Sequence, residues 1–210
     1  KTPRFRSAAL VVTLINAACL VTNTTLPILL QTALGASAFE TGMVMLPAAA
    51  VGIVLSPVAG MVFDRFGPRA ISVAGLALMT VALFMFSGAD EHMSVVTAAV
   101  LCGMQACGQS MANMPVNTWG VNALRDDLIA HGNAIANTGR QVAGGLATAL
   151  IVTAMTGVTS AQIAGGADVA AATAAGVGSA YFICGCIGAV ALVFAIFCVK
   201  EHKHPAKQAA

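Results

Sequence analysis

Long apolar runs separated by short polar breaks make up the whole chain. Six runs are long enough to cross a bilayer core, which takes roughly 20 apolar residues in a helix. They are Ser7 to Leu30, Ala38 to Val62, Arg69 to Ser87, Met93 to Pro115, Ala134 to Thr156 and Ser179 to Val199. None has the strict alternation of a strand, which argues against a β-barrel. Backbone groups in lipid must pair within their own segment, so each run is expected to be a helix. The fold class is therefore an all-α integral membrane protein with six transmembrane helices. The stretch from Gly157 to Gly178, rich in Ala, Gly, Thr and Ser, reads as a mobile external connection. Its AAATAAG end can begin the last span early, and residues 200–210 form a short charged tail.

The polar breaks orient the spans. All ten Lys and Arg fall on one side: Lys1, Arg4 and Arg6, then Arg65 and Arg69, then Arg125 and Arg140, then Lys200, Lys203 and Lys207. The opposite breaks hold acids, namely Glu40, Asp90, Glu91 and Asp168. Basic residues stay in cytoplasmic loops, so both termini of this segment are expected in the cytoplasm of a cell (inner) membrane protein. A signal peptide is the competing reading of the N-terminus, but the apolar stretch runs on through LPILL, longer than such a core. A chain starting at Lys1 without methionine fits a piece of a longer protein.

Composition agrees with this reading. The chain is 58% hydrophobic and only 9% charged, against about 25% charge in a soluble domain. A net charge of +2, with basic residues placed by topology, gives no reason to expect a nucleic-acid partner. The six cysteines lie in apolar spans without a CxxC pair, so they read as small hydrophobes, not metal ligands or disulfides. The histidines lie outside the spans, and HKH at 202–204 reads as solvated tail. No metal site is expected.

Three spans carry polar faces. Gln105, Gln109, Asn113 and Asn117 recur every four residues, a drift of about 40° per step around a helix. Asn137, Arg140, Gln141 and Thr148 share one side of span five, and Asn16, Asn23 and Thr13 one side of span one. A rise of about 1.5 Å per residue places Asn16, Gln105, Arg140 and Gln141 in one layer near the midplane. Such groups face protein or a wet cavity instead of lipid. The candidate cavity set is Asn16, Asn23, Gln105, Gln109, Asn113, Asn137, Arg140 and Gln141. Interhelical hydrogen bonding is the plainer alternative for each amide. Arg140 either snorkels to the cytoplasmic interface or points into the cavity as a fixed charge. Met104, Met111 and Met114 suit a pocket for varied apolar shapes. No carboxylate lies deep in a span, so a coupled proton would need a carrier elsewhere.

The remaining island of charge, GMVFDRFGPR at 60–69, resembles the G-x-x-x-D-R-x-G-x-R loop signature of the major facilitator superfamily. Gly60, Asp64, Arg65, Gly67 and Arg69 match it; the second basic cluster often found downstream is absent from Ala70 to Val73. The stretches 26–69 and 132–153 are similar to the multidrug efflux branch, especially its fourteen-span drug/proton antiporters. The resemblance implies one half of a major-facilitator fold, an inverted 3+3 helix repeat. It further implies that residues 1–199 are a C-terminal half whose N-terminal six- or eight-span half is missing.

Independently of the resemblance, Gly60 permits close helix approach. Arg65 suits a helix C-terminus that Asp64 opposes, and Pro68 suits the start of span three. Asp64, Arg65 and Arg69 read as a charge latch for the outward-facing state.

The expected function is a secondary active transporter that exports amphipathic, often cationic, compounds in exchange for protons by alternating access. Its partners would be that substrate, protons and the lipid bilayer, with no cofactor and the proton gradient as energy source. A nutrient or metabolite symporter or uniporter remains open. A structural membrane protein fits the polar faces and the helix-kinking prolines Pro27, Pro47, Pro57 and Pro115 of the spans less well, and the permease of an ATP-driven pump would need a separate chain for its phosphate-binding loop. No nucleophile, base and orienting group come together, so no enzyme is expected.

Overall fold

A computed structural model describes residues 3–90, 92–121 and 129–198. The helices are Pro3–Ile28, continued by a π-helical turn Leu29–Ala33, then Ala38–Ser87, Val95–Val121, Ile129–Ala164 and Val169–Cys198. The 50-residue helix Ala38–Ser87 is two spans joined at Gly67, whose φ of 81° and ψ of 169° lie in a region open essentially only to glycine. Six stretches are long and apolar enough to cross a membrane: Ser7–Ala33, Ala38–Met61, Arg69–Ser87, Val95–Gly120, Gly132–Ala164 and Val169–Phe197, taken here as spans one to six. Span two starts from a capping box. Ser37 Oγ accepts the Glu40 backbone N–H, and the Glu40 carboxylate accepts the Ser37 N–H at 2.8 Å.

Two stretches depart most from the expected boundaries. Span four continues through Pro115 to the helix end at Val121; a membrane helix tolerates proline where neighbours re-pair the freed backbone. The external loop expected from Gly157 to Gly178 is mostly helix. Only a turn separates Ala164 from Val169, closed by bonds from Gly165 N to Ala161 O, Gly166 N to Ile163 O and Ala167 N to Gln162 O. Hydropathy falls in this stretch, but alanine is the best helix former, so the two helices extend past their most apolar residues.

Spans one, three, four and six make the centre of the bundle. Gly75 on span three and Gly108 on span four bring their backbones together: a Cβ on Gly75 would fall 2.7 Å from Gly108 O and 2.8 Å from Ala112 N. Span six meets span three through Phe86 stacked on Tyr181, ring centroids 4.6 Å apart, and through the edge-to-face pair Phe84 and Phe182. Span four meets span one at Gln105 and Thr22. Span five reaches span one where Gly144 faces Leu20, and span two reaches span four where Gly52 faces Ser110. Together with the packing of span one on span six, these pairings map onto one another when spans one, two and three are exchanged for four, five and six, as a 3+3 repeat requires. Spans two and five are the outer pair. Buried residues make up 13% and 17% of their most apolar windows, against 33% to 50% for the other four spans.

A Cβ on Gly60 would meet nothing within 4 Å among the described residues, whereas Gly75 and Gly108 stand at a close approach. Asp64 and Arg65 are in the helix by backbone, but their side chains lie outside the described residues, so the latch they were read to form is outside them too. Gly67 supplies the break, and Arg69 opens span three exposed.

Candidate functional site

The polar face of span four lines a pair of adjoining open grooves. Its helix turns about 100° per residue, so Gln105, Ala106, Gln109, Ser110, Asn113, Met114 and Asn117 occupy one half of the helix circumference. The lower groove, about 580 Å³, lies between that face and Ala48, Ala49, Gly52 and Ile53 of span two. The upper groove, about 280 Å³, is bounded by Cys19, Thr22 and Asn23 of span one, Met45, Ala48 and Ala49 of span two, and Cys102, Gln105, Ala106 and Gln109 of span four. Ala48, Ala49, Ala106 and Gln109 border both grooves. Small residues on span two create the space, because no side chain from Ala48, Ala49 or Gly52 crosses it. Among the described residues no charged side chain lines either groove, so hydrogen bonding and soft apolar contact are the recognition this lining offers.

The amides do different work along the stripe. Gln105 is buried and donates from Nε2 to Thr22 Oγ1 at 2.8 Å, tying span four to span one. Gln109 and Asn113 are half-buried on the groove walls. Asn23 is exposed and donates to Cys19 Sγ at 3.7 Å. Asn16 is half-buried on the same helix but is not a lining residue of either groove.

Arg140 of span five is half-buried, with its guanidinium turned inward. Nη1 donates to Asn117 Oδ1 at 3.4 Å, and Nη2 donates to Asn137 Oδ1. The side chain borders a small recess with Ala8, Ala9, Val12, Asn117, Gly120 and Ala136, where spans one, four and five meet. Asn137 and Gln141 are exposed on span five, and Gln141 lines neither groove.

Several expectations are corrected by this geometry. Asn16, Gln105 and Arg140 do not share one layer. Gln105 meets Thr22, six residues and roughly 9 Å along span one from Asn16, and Arg140 meets Asn117, twelve residues and roughly 18 Å along span four from Gln105. Depth had been measured from span ends that fall elsewhere, so the polar groups form a ladder along the bundle. Of the three methionines, only Met114 lines a groove. Met111 lies against Gly75 and Met104 packs on the core, both on the opposite side of the helix. Three contributors went unnoticed in sequence: Thr22 and Thr25, a three-residue pair on span one, and Tyr181, all buried. The run of small residues at Ala48, Ala49 and Gly52 carried a readable signal for the groove wall.

Six apolar helices long enough to cross a membrane thus carry a polar groove at their side. The chain belongs to the major facilitator superfamily, whose family model matches residues 1–148. Over 97% of its length it is 36% identical to the Bacillus subtilis "Uncharacterized MFS-type transporter YcnB", of which it covers 43%. Over 92% of its length it is 34% identical to the "Lincomycin resistance protein LmrB" of Listeria monocytogenes, again covering 43%. A "Multidrug resistance protein B homolog" of Mycobacterium tuberculosis is 29% identical over 62% of the chain and 25% of its own length. The chain thus spans less than half the length of the curated relatives it matches.

Proposed function

We propose that the full-length protein is a secondary active exporter of amphipathic compounds, exchanging them for protons by alternating access. In this reading the chain is its C-terminal six-span half, held in the cell membrane with both segment ends in the cytoplasm. The observation that carries it is the ladder Gln105, Gln109, Asn113 and Asn117 along an open, uncharged groove. Amides facing such a groove give donors and acceptors to compounds of varied shape, and Met114 adds an adaptable apolar contact. The printed names of two relatives, resistance to lincomycin and to multiple drugs, support the same substrate class.

The outer faces of spans two and five would meet the other half, and the coupling carboxylates would lie there, since among the described residues no lining residue of either groove is acidic. The cytoplasmic latch of Asp64, Arg65 and Arg69 would hold the outward-facing state, and Asp64→Asn should lower transport without preventing insertion. The test of the whole reading is ethidium efflux from cells expressing the full-length protein, with and without an uncoupler. Efflux that an uncoupler abolishes supports proton exchange. Efflux that survives it rejects coupling, and absence of efflux in both arms rejects export.

A further inference from the structure

The orientation of the Gln105 amide is fixed by hydrogen-bond bookkeeping. The Thr22 hydroxyl has one proton and gives it to Ala18 O at 3.0 Å, one turn back along span one. Toward Gln105 it is therefore an acceptor, and the group facing it at 2.8 Å must be the amide N–H. Gln105 Oε1 is turned away from Thr22, buried, and without a hydrogen-bond partner. Buried amide oxygens are nearly always paired, because an unpaired one loses its water for nothing in return.

The neighbourhood is built around this atom. Gln105 is 4% exposed, yet it borders the upper groove together with Thr22. Tyr181 is fully buried, and its hydroxyl approaches Thr22 and Thr25 without hydrogen-bond geometry to either. Thr25, like Thr22, spends its proton on its own helix, at Val21 O. The two buried threonines of span one thus present only acceptors here, and Gln105 Oε1 receives no hydrogen bond from them. The rest of the upper wall carries no charged side chain among the described residues: the amides of Asn23 and Gln109, with Cys19, Met45, Cys102 and alanines between them.

We propose that Gln105 is the residue by which the upper groove selects its ligand, Oε1 accepting a hydrogen bond from an N–H or O–H group on an amphipathic compound. Selection in this groove is by the presence of a donor and not by charge, because the wall has no ionic group among the described residues. The inference rests on the export reading above and adds the chemical feature that is read.

The test compares two dyes in inverted vesicles containing the full-length transporter. Rhodamine 6G carries N–H groups on its ring system. Rhodamine B ethyl ester has the same single positive charge and ester, but its nitrogens are fully alkylated. Wild type should show an apparent KM roughly tenfold lower for rhodamine 6G, as a site built around a hydrogen bond disfavours the analogue lacking it. Gln105→Met should bring the ratio of the two KM values to within about twofold of one, whereas Gln105→Glu, which keeps an acceptor, should preserve the preference. A wild-type ratio of one overturns the inference. So does a Gln105→Met variant in which both KM values rise together at an unchanged ratio, which would make Gln105 an interhelical tie alone. If Gln105→Met does not accumulate in the membrane, Thr22→Val decides: it frees the amide to rotate, so the ratio must fall, and an unchanged ratio overturns the inference. Wild type that moves neither dye rejects the export reading, and this inference falls with it.

Discussion

The side-chain amide of Gln105 on span four donates to the hydroxyl of Thr22 on span one at 2.8 Å, with both residues buried. The bond joins the two halves of the 3+3 arrangement at the wall of the upper groove. Replacing Thr22 with valine keeps the shape and removes the acceptor. Thr22→Val is expected to cost about 0.5–2 kcal/mol, as measured for hydrogen bonds between membrane helices, and Thr22→Ser to cost less. Thermal unfolding of the purified full-length protein reads the difference.

The approach of Gly75 to Gly108 admits no side chain. A Cβ on Gly108 would stand 2.6 Å from Met79 N, and one on Gly75 2.8 Å from Met111 Cβ. Gly75→Val or Gly108→Val should cost about 1–3 kcal/mol or more through overpacking against backbone, with loss of a monodisperse peak in size-exclusion chromatography. Gly103→Ala, on the same helix but with nothing within 4 Å, should leave the peak unchanged.

Arg140 uses two arms of its guanidinium on two different amides, Asn117 and Asn137. A lysine ammonium cannot reproduce that fork. Arg140→Lys is therefore expected to lower efflux nearly as far as Arg140→Gln while expression stays at the wild-type level. A lysine variant with wild-type efflux would mean that only the charge matters.

The break at Gly67 should be intolerant of a side chain. At φ 81° and ψ 169° an alanine is strained by about 1–3 kcal/mol. Gly67→Ala is expected to lower the melting temperature or to shift the junction of spans two and three. Cysteine labelling at Arg69→Cys reports the second outcome, since Arg69 is exposed just past the break.

Much of this architecture could be read from hydropathy and charge. Apolar run length gave the six spans, because lipid leaves the backbone few options, and the four-residue repeat of Gln105, Gln109, Asn113 and Asn117 gave a polar face that the helix geometry makes unavoidable. Depth across spans was not legible. Placing Arg140 opposite Asn117 depends on where the helices of spans four and five end, and the Ala-rich continuation to Ala164 and the passage through Pro115 moved such ends beyond the apolar runs. Partners were not legible either. Thr22 looks like any threonine bonded back to its own helix until span four is packed against it. Tyr181 is found only through its stacking on Phe86.

Ala49 borders both grooves and is exposed, so a phenylalanine there fills the space between spans two and four without entering the core. The most direct test of the groove as the transport path is ethidium efflux by full-length Ala49→Phe at wild-type expression. The account predicts that efflux is lost while the protein remains folded and membrane-inserted. Efflux by Ala49→Phe at the wild-type rate would contradict it.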